Sequence, residues 1–244
     1  MISVITVCYN SAKTIRKTFE SMLGQTYQDF EYIVVDGGST DGTVDIIEEY
    51  VPKFQGKMTY KSEKDNGIYD AMNKGISRCH GDLIGIVNSD DWYEPTALED
   101  AAGAYSGEKY EVVYGAVRLF RDGQESAIEF RNHNFLTIQM IPHPTCFITR
   151  QAYMDLGVYD TVNYKSSSDY ELLLRYYLGG KVKFTPVYRI ISNFALGGMS
   201  SSNFGVIETA RLKRSLGLMS RKKYLITVTK ARLSDLIGNT WQSK

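Results

Sequence analysis

The sequence predicts an α/β fold with a mostly parallel central sheet flanked by helices, followed by a helical C-terminal extension. Three observations predict it. The first 105 residues alternate short β-branched runs with amphipathic segments four times over. After Tyr110 two strand-like runs flank an Asp122-Gly123 turn. From about residue 203 the pattern is helical, with a break near Gly217.

Each element has a local reason. Residues 2–8 are short and β-branched, a strand. Asn10 or Ser11 can cap a helix that runs to Leu23, with Gly24 beyond its end. Residues 31–36 form the second strand, and Gly37-Gly38-Ser39-Thr40-Asp41-Gly42 turns into a helix that stops before Pro52. A third strand covers 57–62, and Gly67 opens a helix through Ile68, Met72 and Ile76. Residues 82–88 are the fourth strand, and Pro95 starts the next helix. Residues 112–120 and 126–130 pair antiparallel, 169–178 is helical and 182–194 is strand-like. The expected organisation is one α/β unit over 1–203, with halves 1–105 and 106–203, and a basic helical extension over 204–244.

The composition excludes several classes. Of 244 residues, 43% are hydrophobic and 23% charged, which excludes disorder, collagen-like repeats and a coiled coil. The length supports one large core with a small appendage. No run approaches the ~18 uncharged apolar residues of a membrane span. The first residues carry no basic segment of a signal peptide, so a cytoplasmic chain is expected. Cys8, Cys79 and Cys146 have no metal-type spacing and read as reduced core thiols.

Formal net charge is zero, but its distribution is lopsided. From residue 208 the chain has nine basic residues (Arg211, Lys213, Arg214, Arg221, Lys222, Lys223, Lys230, Arg232, Lys244) against Glu208 and Asp235. The body before it is correspondingly acidic.

In open parallel sheets ligands sit beyond the carboxyl ends of the strands, so the residues there decide the chemistry. Cys8-Tyr9-Asn10-Ser11 has no glycine, which excludes a dinucleotide fingerprint. The P-loop, the H-E-x-x-H zinc helix and the G-x-S-x-G elbow are also absent. What remains is a set of acids: Asp36 after strand two, Asp65 after strand three, Asp90 and Asp91 after strand four. Crowded carboxylates raise one another's pKa, and a hard divalent cation such as Mg²⁺ or Mn²⁺ relieves that. Asp41 reads instead as a turn or cap residue.

Four segments in order resemble the family 2 glycosyltransferases of GT-A fold. They are Thr6-Val7-Cys8-Tyr9-Asn10, Val34-Val35-Asp36-Gly37-Gly38-Ser39-Thr40-Asp41-Gly42, Asp65-Asn66-Gly67-Ile68-Tyr69-Asp70-Ala71-Met72-Asn73-Lys74-Gly75 and Asn88-Ser89-Asp90-Asp91. The likeness covers about residues 1–200 and is nearest to bacterial exopolysaccharide enzymes, such as those of colanic acid synthesis. It implies a nucleotide-diphosphate sugar donor, UDP- before GDP-, and an inverting transfer assisted by Mn²⁺ or Mg²⁺. Thr6, through its backbone, and Tyr9, by packing on the nucleoside, would line the base pocket. Asp36 would accept from the base N–H, and could pair with uracil or guanine. Asp65 would lie near the nucleotide, Asp90 near the ribose, and Asp91 would hold the metal against the diphosphate. The alternative for Tyr9 is a core aromatic. Many relatives have Arg where this chain has Met72, so phosphate contact passes to Lys64, Arg78 or the metal.

Inverting transfer needs one base to take the acceptor hydroxyl proton. Tyr164-Lys165-Ser166-Ser167-Ser168-Asp169-Tyr170-Glu171 resembles the family's acceptor-side acidic motif, which makes Asp169 the base. A helix N-terminus there would keep Asp169 ionised. Its alternative is an N-cap, for which Ser168 serves equally, while Glu171 points elsewhere on the helix. His143, between Pro142 and Pro144, is either a contact to acceptor or phosphate or a structural histidine. Gly197-Gly198-Met199-Ser200 resembles a loop that closes the site, or is a simple turn.

The basic tail mixes Arg221-Lys222-Lys223 with Leu225, Ile226, Val228 and Leu233. It either packs on the acidic body or lies on an anionic membrane surface, where a polyprenyl-linked or other glycan acceptor would be met. Nucleic acid is not expected as a partner. Two rival functions share the fold: a sugar nucleotidyltransferase, which would place a Gly-rich basic loop after strand one, and a non-catalytic nucleotide-binding scaffold.

Overall fold

The computed structural model describes residues 1–197 and 203–241, the last seven of these as helical backbone only. Nine strands form one sheet: β1 (Ile2–Cys8), β2 (Phe30–Asp36), β3 (Met58–Ser62), β4 (Leu83–Ile86), β5 (Trp92–Tyr93), β6 (Glu111–Arg121), β7 (Gln124–Glu129), β8 (Phe147–Thr149) and β9 (Lys183–Ala195). The order is β3-β2-β1-β4-β8-β6-β9-β5, with β7 off this path and paired with β6. The helices are α1 (Ile15–Leu23), α2 (Thr43–Tyr50), α3 (Ile68–Ile76), α4 (Ala97–Ala104), α5 (Arg150–Leu156), α6 (Ser168–Leu178), α7 (Asn203–Ser215) and α8 (Arg221–Trp241).

The sheet is mixed, with parallel and antiparallel ladders side by side. β3, β2, β1 and β4 run parallel, as the β-α alternation requires. Beyond β4 the direction reverses: β8 is antiparallel to β4 and to β6, β7 to β6 and β5 to β9, while β6 and β9 are parallel. The antiparallel β6–β7 pair is the one expected around Asp122-Gly123, whereas apolar runs show that a segment is a strand but carry no information on its direction, so the reversal at β8 has no signal in the sequence. The β4–β8 pairing also joins the two expected halves into one continuous sheet.

Side-chain alternation along β1 feeds two cores. Ile2 and Val4 pack with Phe19 and Met22 of α1, Ile47 of α2 and Leu98 of α4. Ile5 and Val7 pack with Met72 and Ile76 of α3, Tyr153 of α5 and Leu172, Leu173 and Tyr176 of α6. Every residue of β1 is buried, as a central strand covered on both faces must be. Gly75 lets α3 press onto β1, because a Cβ there would stand 2.6 Å from Ile5 Cγ2.

Local details correct other expectations. α1 starts at Ile15, not at Asn10 or Ser11; Asn10 instead takes a left-handed φ of 50°. β5, β8 and α5 have two, three and seven residues, too short for periodicity to show. The β6–β7 hairpin turns through Asp122 and Gly123, at φ 52° and 79°, as a type I′ turn requires. α7 and α8 separate at Gly217, φ 71°. All three cysteines are buried and unpaired.

Candidate active site

Because β1 to β4 are parallel, their carboxyl ends share one edge, and hydrogen bonds lace the following loops together. Asn10 N–H donates to Ser39 Oγ (2.7 Å), and Thr40 N–H donates to Asn10 Oδ1 (3.0 Å). The Ser11 and Ser89 hydroxyls meet at 2.8 Å, linking the loops after β1 and β4. Asp41 binds the N–H of Ala12 (3.0 Å) and that of Thr43 (3.1 Å). It is therefore the turn residue expected.

Asp36 is wholly buried. Its Oδ2 accepts from the N–H groups of Gly38 (3.0 Å) and Ser39 (2.9 Å) and from Ser62 Oγ (2.7 Å). Its Oδ1 accepts from Ser39 Oγ and from Cys8 Sγ (3.5 Å). Burial pushes its pKa up, but these donors outweigh it and hold the carboxylate below its usual value. A carboxylate has about four lone-pair sites, so a nucleobase N–H would have to displace one of these donors. Asp36 braces the 37–39 turn.

Above that turn three groups converge. A Cβ on Gly37 would stand 2.5 Å from Asp65 Oδ2 and 3.4 Å from Tyr9 Cδ2, so only glycine leaves room for both. Tyr9 is 64% exposed, which removes the core-aromatic alternative. Asp65 Oδ1 accepts from Gly67 N–H (2.9 Å) at the start of α3. Thr6 is fully buried with its hydroxyl 2.7 Å from that of Tyr32, so only its backbone can serve a pocket wall.

Asp91 is also fully buried, under opposite conditions. It accepts one good bond, from Ala195 N–H at the end of β9 (3.0 Å), and a long one from Asn88 Nδ2 (3.5 Å). Desolvation first, and the Asp90 charge second, raise its carboxyl well above the ordinary range. Asp90 itself is exposed, yet desolvation by the surrounding protein raises its carboxyl too. Asn88 Oδ1 is buried without a hydrogen-bond partner. A poorly compensated carboxylate beside an orphaned carbonyl oxygen suits a hard divalent cation such as Mg²⁺ or Mn²⁺. Among the described residues no group of three or more His, Cys, Asp or Glu side chains could hold a metal alone. Such a cation would draw further oxygens from a ligand, as Mg²⁺ commonly does from phosphates.

Asp169 stands half-buried in the first turn of α6. Its Oδ1 accepts from Tyr69 Oη (2.9 Å) and from Tyr170 N–H (2.8 Å). Tyr69 lies in the first turn of α3, just after Asp65 and Gly67, so this bond joins the acceptor-side motif to the strand-end loops across 100 residues. Tyr69 stacks on Tyr159 with ring centroids 5.5 Å apart. Asn73 of α3 clamps the Tyr159 backbone, donating to its carbonyl (2.9 Å) and accepting from its N–H (3.1 Å). Asp169 does not cap α6: Ser167 is the N-cap residue and makes no side-chain cap bond. The preceding backbone is held from α7, where buried Glu208 accepts from the N–H groups of Lys165 (3.0 Å) and Ser166 (2.7 Å). Glu171 turns away to Arg175 (2.9 Å).

His143 lies beneath this network. It is buried, with Nε2 2.7 Å from Tyr159 Oη, and burial lowers its pKa against the opposing pull of Asp169. This placement agrees with the structural alternative for His143. Met72 is a core residue of α3. Arg78 follows the C-terminal end of α3, roughly 15 Å from its N-terminus at ~1.5 Å per residue, and drops out as a phosphate contact. Lys64 remains at the correct edge. Of the closing loop, all but Gly197 lies outside the described residues. Sequence reasoning assigned no role to Tyr69, Asn73, Asn88, Tyr159 or Glu208. The first three stand inside motifs it quoted, so proximity to those acids was the available signal.

The fold is of GT-A-like architecture, with a mixed sheet and a helical C-terminal extension. The chain belongs to glycosyl transferase family 2, whose sequence profile matches residues 3–172. It is a glycosyltransferase related to bacterial enzymes of exopolysaccharide and cell-surface glycan biosynthesis. The PGL/p-HBAD biosynthesis glycosyltransferase of Mycobacterium tuberculosis is 28% identical over 218 residues, covering 88% of this chain and 83% of its own. TarS 1–349 of S. aureus, solved in complex with UDP-GlcNAc, shares the fold with a TM-score of 0.67 at 19% identity, over 94% of this chain and 71% of TarS 1–349. The mannosyltransferase PcManGT of Pyrobaculum calidifontis, solved with GDP-Man and Mn²⁺, does so with a TM-score of 0.65 at 18% identity, over 95% of this chain and 68% of its own.

Proposed function

We propose that the protein transfers a sugar, with inversion, from a nucleotide-diphosphate sugar (UDP- before GDP-) to a glycan or polyprenyl-linked acceptor in bacterial cell-surface polysaccharide synthesis. The observation that carries this reading is the Tyr69–Asp169 hydrogen bond, which sets an acceptor-side carboxylate beside the loops of the nucleotide-side edge. The complexes of TarS with UDP-GlcNAc and of PcManGT with GDP-Man and Mn²⁺ support the donor class and the metal.

Each group then has a task. Tyr9 offers its exposed ring to the nucleoside, over the turn that Asp36 braces. Asp65 lies next to it, and Asp90 stands on the exposed rim for the ribose. Asp91, with the Asn88 carbonyl, would hold Mn²⁺ or Mg²⁺. When bound, the ion supplies positive charge against the departing diphosphate. Asp169 is the general base: with Oδ1 occupied by Tyr69 and Tyr170, Oδ2 takes the proton of the acceptor hydroxyl. Tyr69 is a positioning residue that limits the carboxylate's rotation. In this reading the enzyme works in the cytoplasm, at the inner face of the cell membrane. Among the described residues no helix is long and apolar enough to cross a membrane.

A thermal-shift series with UDP, GDP and their sugars, each with and without Mn²⁺, tests the donor, since a ligand that binds the folded state raises its stability. A rise specific to uridine ligands and enhanced by Mn²⁺ is expected. The product glycoside of that donor should have the opposite anomeric configuration by NMR. No shift with any nucleotide, or retention at the anomeric carbon, would overturn the reading.

A further inference from the structure

α8 is divided sharply by burial. Over 221–234, Tyr224, Thr227, Val228 and Ala231 are wholly or partly buried. Leu225, Ile226 and Leu233 are exposed at 53, 47 and 50%. At 3.6 residues per turn, Leu225, Thr229, Leu233 and Ile226 lie within an arc of about 100° on the outward side. Exposed Arg221 and Arg232 border one margin of this stripe, and exposed Lys223 and Lys230 border the other. Lys222 stands at its N-terminal end with a stem long enough to lift its ammonium clear.

An apolar stripe bordered on both margins by cations has one chemistry that satisfies all of it at once. The stripe seeks an acyl layer, and the margins seek anionic headgroups. A second copy of this helix is disfavoured, because it would bring like-charged margins together.

We propose that α8 lies in the plane of an anionic lipid surface, with Leu225, Ile226 and Leu233 at the acyl boundary and Arg221, Lys223, Lys230 and Arg232 among the headgroups. α7, against which α8 packs, holds Lys165 and Ser166 through Glu208, three residues or so before Asp169. α8 is therefore one packed helix away from the segment that leads into the acceptor motif. This deepens, and rests on, the reading that the acceptor is lipid-linked.

The test is co-sedimentation of the full chain with large vesicles of phosphatidylcholine, with and without 30 mol% phosphatidylglycerol as a roughly cell-like anionic fraction. Binding is expected only with phosphatidylglycerol, and raised salt should weaken it. Lys223→Glu with Lys230→Glu should weaken it at least tenfold, at ~1 kcal/mol per basic residue near the surface. Leu225→Ser with Leu233→Ser should weaken it comparably at low salt, where charge alone would not. Nucleotide-induced thermal shifts, unchanged in both variants, report that the fold is intact. Equal binding to neutral vesicles, no binding to either, variants that bind like the parent, or a solution dimer that Leu225→Ser dissolves would each overturn the proposal. Transfer to a water-soluble acceptor keeps the two readings apart: if it persists while vesicle binding fails, the lipid surface alone is wrong.

Discussion

Asp36 and Asp91 are both fully buried acids at the carboxyl edge of the parallel strands, yet their surroundings are opposed. Asp36 accepts from two N–H groups and the Ser39 hydroxyl of the turn that follows it, from the Ser62 hydroxyl at the end of β3 and from the Cys8 thiol at the end of β1. Asp91 has one good donor, a long second one and a like charge as its neighbour. Neither side chain reaches solvent, but Asp91 is the more deeply desolvated and has fewer donors to offset it. A saturated carboxylate holds structure together. An unsaturated one costs stability unless something positive arrives, and that marks it as a binding group.

Neutral isosteres should pull the two apart. Asp91→Asn is expected to abolish the Mn²⁺-dependent part of nucleotide binding and to lower transfer by about 10²-fold or more, the scale of losing one electrostatic stabiliser. The same change should raise Tm in the absence of ligand, by about 2–4 °C per kcal/mol of relieved charge burial. Its pH signature follows from the raised pKa. Below the ordinary carboxylate value Asp91 is protonated in both folded and unfolded chains, so the variant gains nothing. The gain appears as pH rises through that value toward the raised one. Melting curves of parent and variant from pH 4 to pH 7 check this.

Asp36→Asn should do the reverse and cost about 2–3 kcal/mol at neutral pH, from the loss of hydrogen bonds to a charged acceptor. Because its folded pKa is depressed, the parent's advantage is full above the ordinary carboxylate value. It fades as pH falls through the lowered one. Urea titrations at both ends of that range measure it. If Asp36→Asn were neutral to stability and Asp91→Asn destabilising, the contrast would collapse.

Smaller effects sharpen the acceptor side. Tyr69→Phe keeps the ring stacked on Tyr159 and removes only the donor to Asp169. A fall of about tenfold in kcat with an unchanged KM for donor is expected, the cost of a looser base. Steady-state kinetics separates this from a structural defect, which would move both constants or Tm. His143→Ala should cost about 1–2 kcal/mol through the partner it leaves on buried Tyr159, with transfer at saturating substrate nearly unchanged. A large loss of kcat there would return His143 to the reacting groups.

Sequence and structure agree where the signal is local. The four β-α units, the Asp122-Gly123 hairpin, the break at Gly217 and the turn role of Asp41 each rest on neighbouring residues. So does the placement of Asp36, Asp65, Asp90 and Asp91 at one edge, which needs only strands and their order. What was illegible depends on distant partners. The saturation of Asp36 is completed by Ser62, 26 residues away. The hydroxyl facing Asp169 comes from 100 residues upstream. Burial of His143 depends on Tyr159, and the reversal of direction at β8 depends on a three-residue strand with no periodicity of its own.

The central claim is a division of labour between two acids from separate halves of the chain: Asp91 for the metal-bound donor, Asp169 for the acceptor proton. Its most direct test is calorimetric titration of the nucleotide, with and without Mn²⁺, into Asp91→Asn and Asp169→Asn, beside the transfer rate of each. The expected result is a parental Mn²⁺-dependent affinity in Asp169→Asn with transfer down by about 10²–10⁴-fold, the worth of a general base, and no Mn²⁺ dependence in Asp91→Asn. Undiminished transfer by Asp169→Asn, or an unchanged Mn²⁺ dependence in Asp91→Asn, would contradict it.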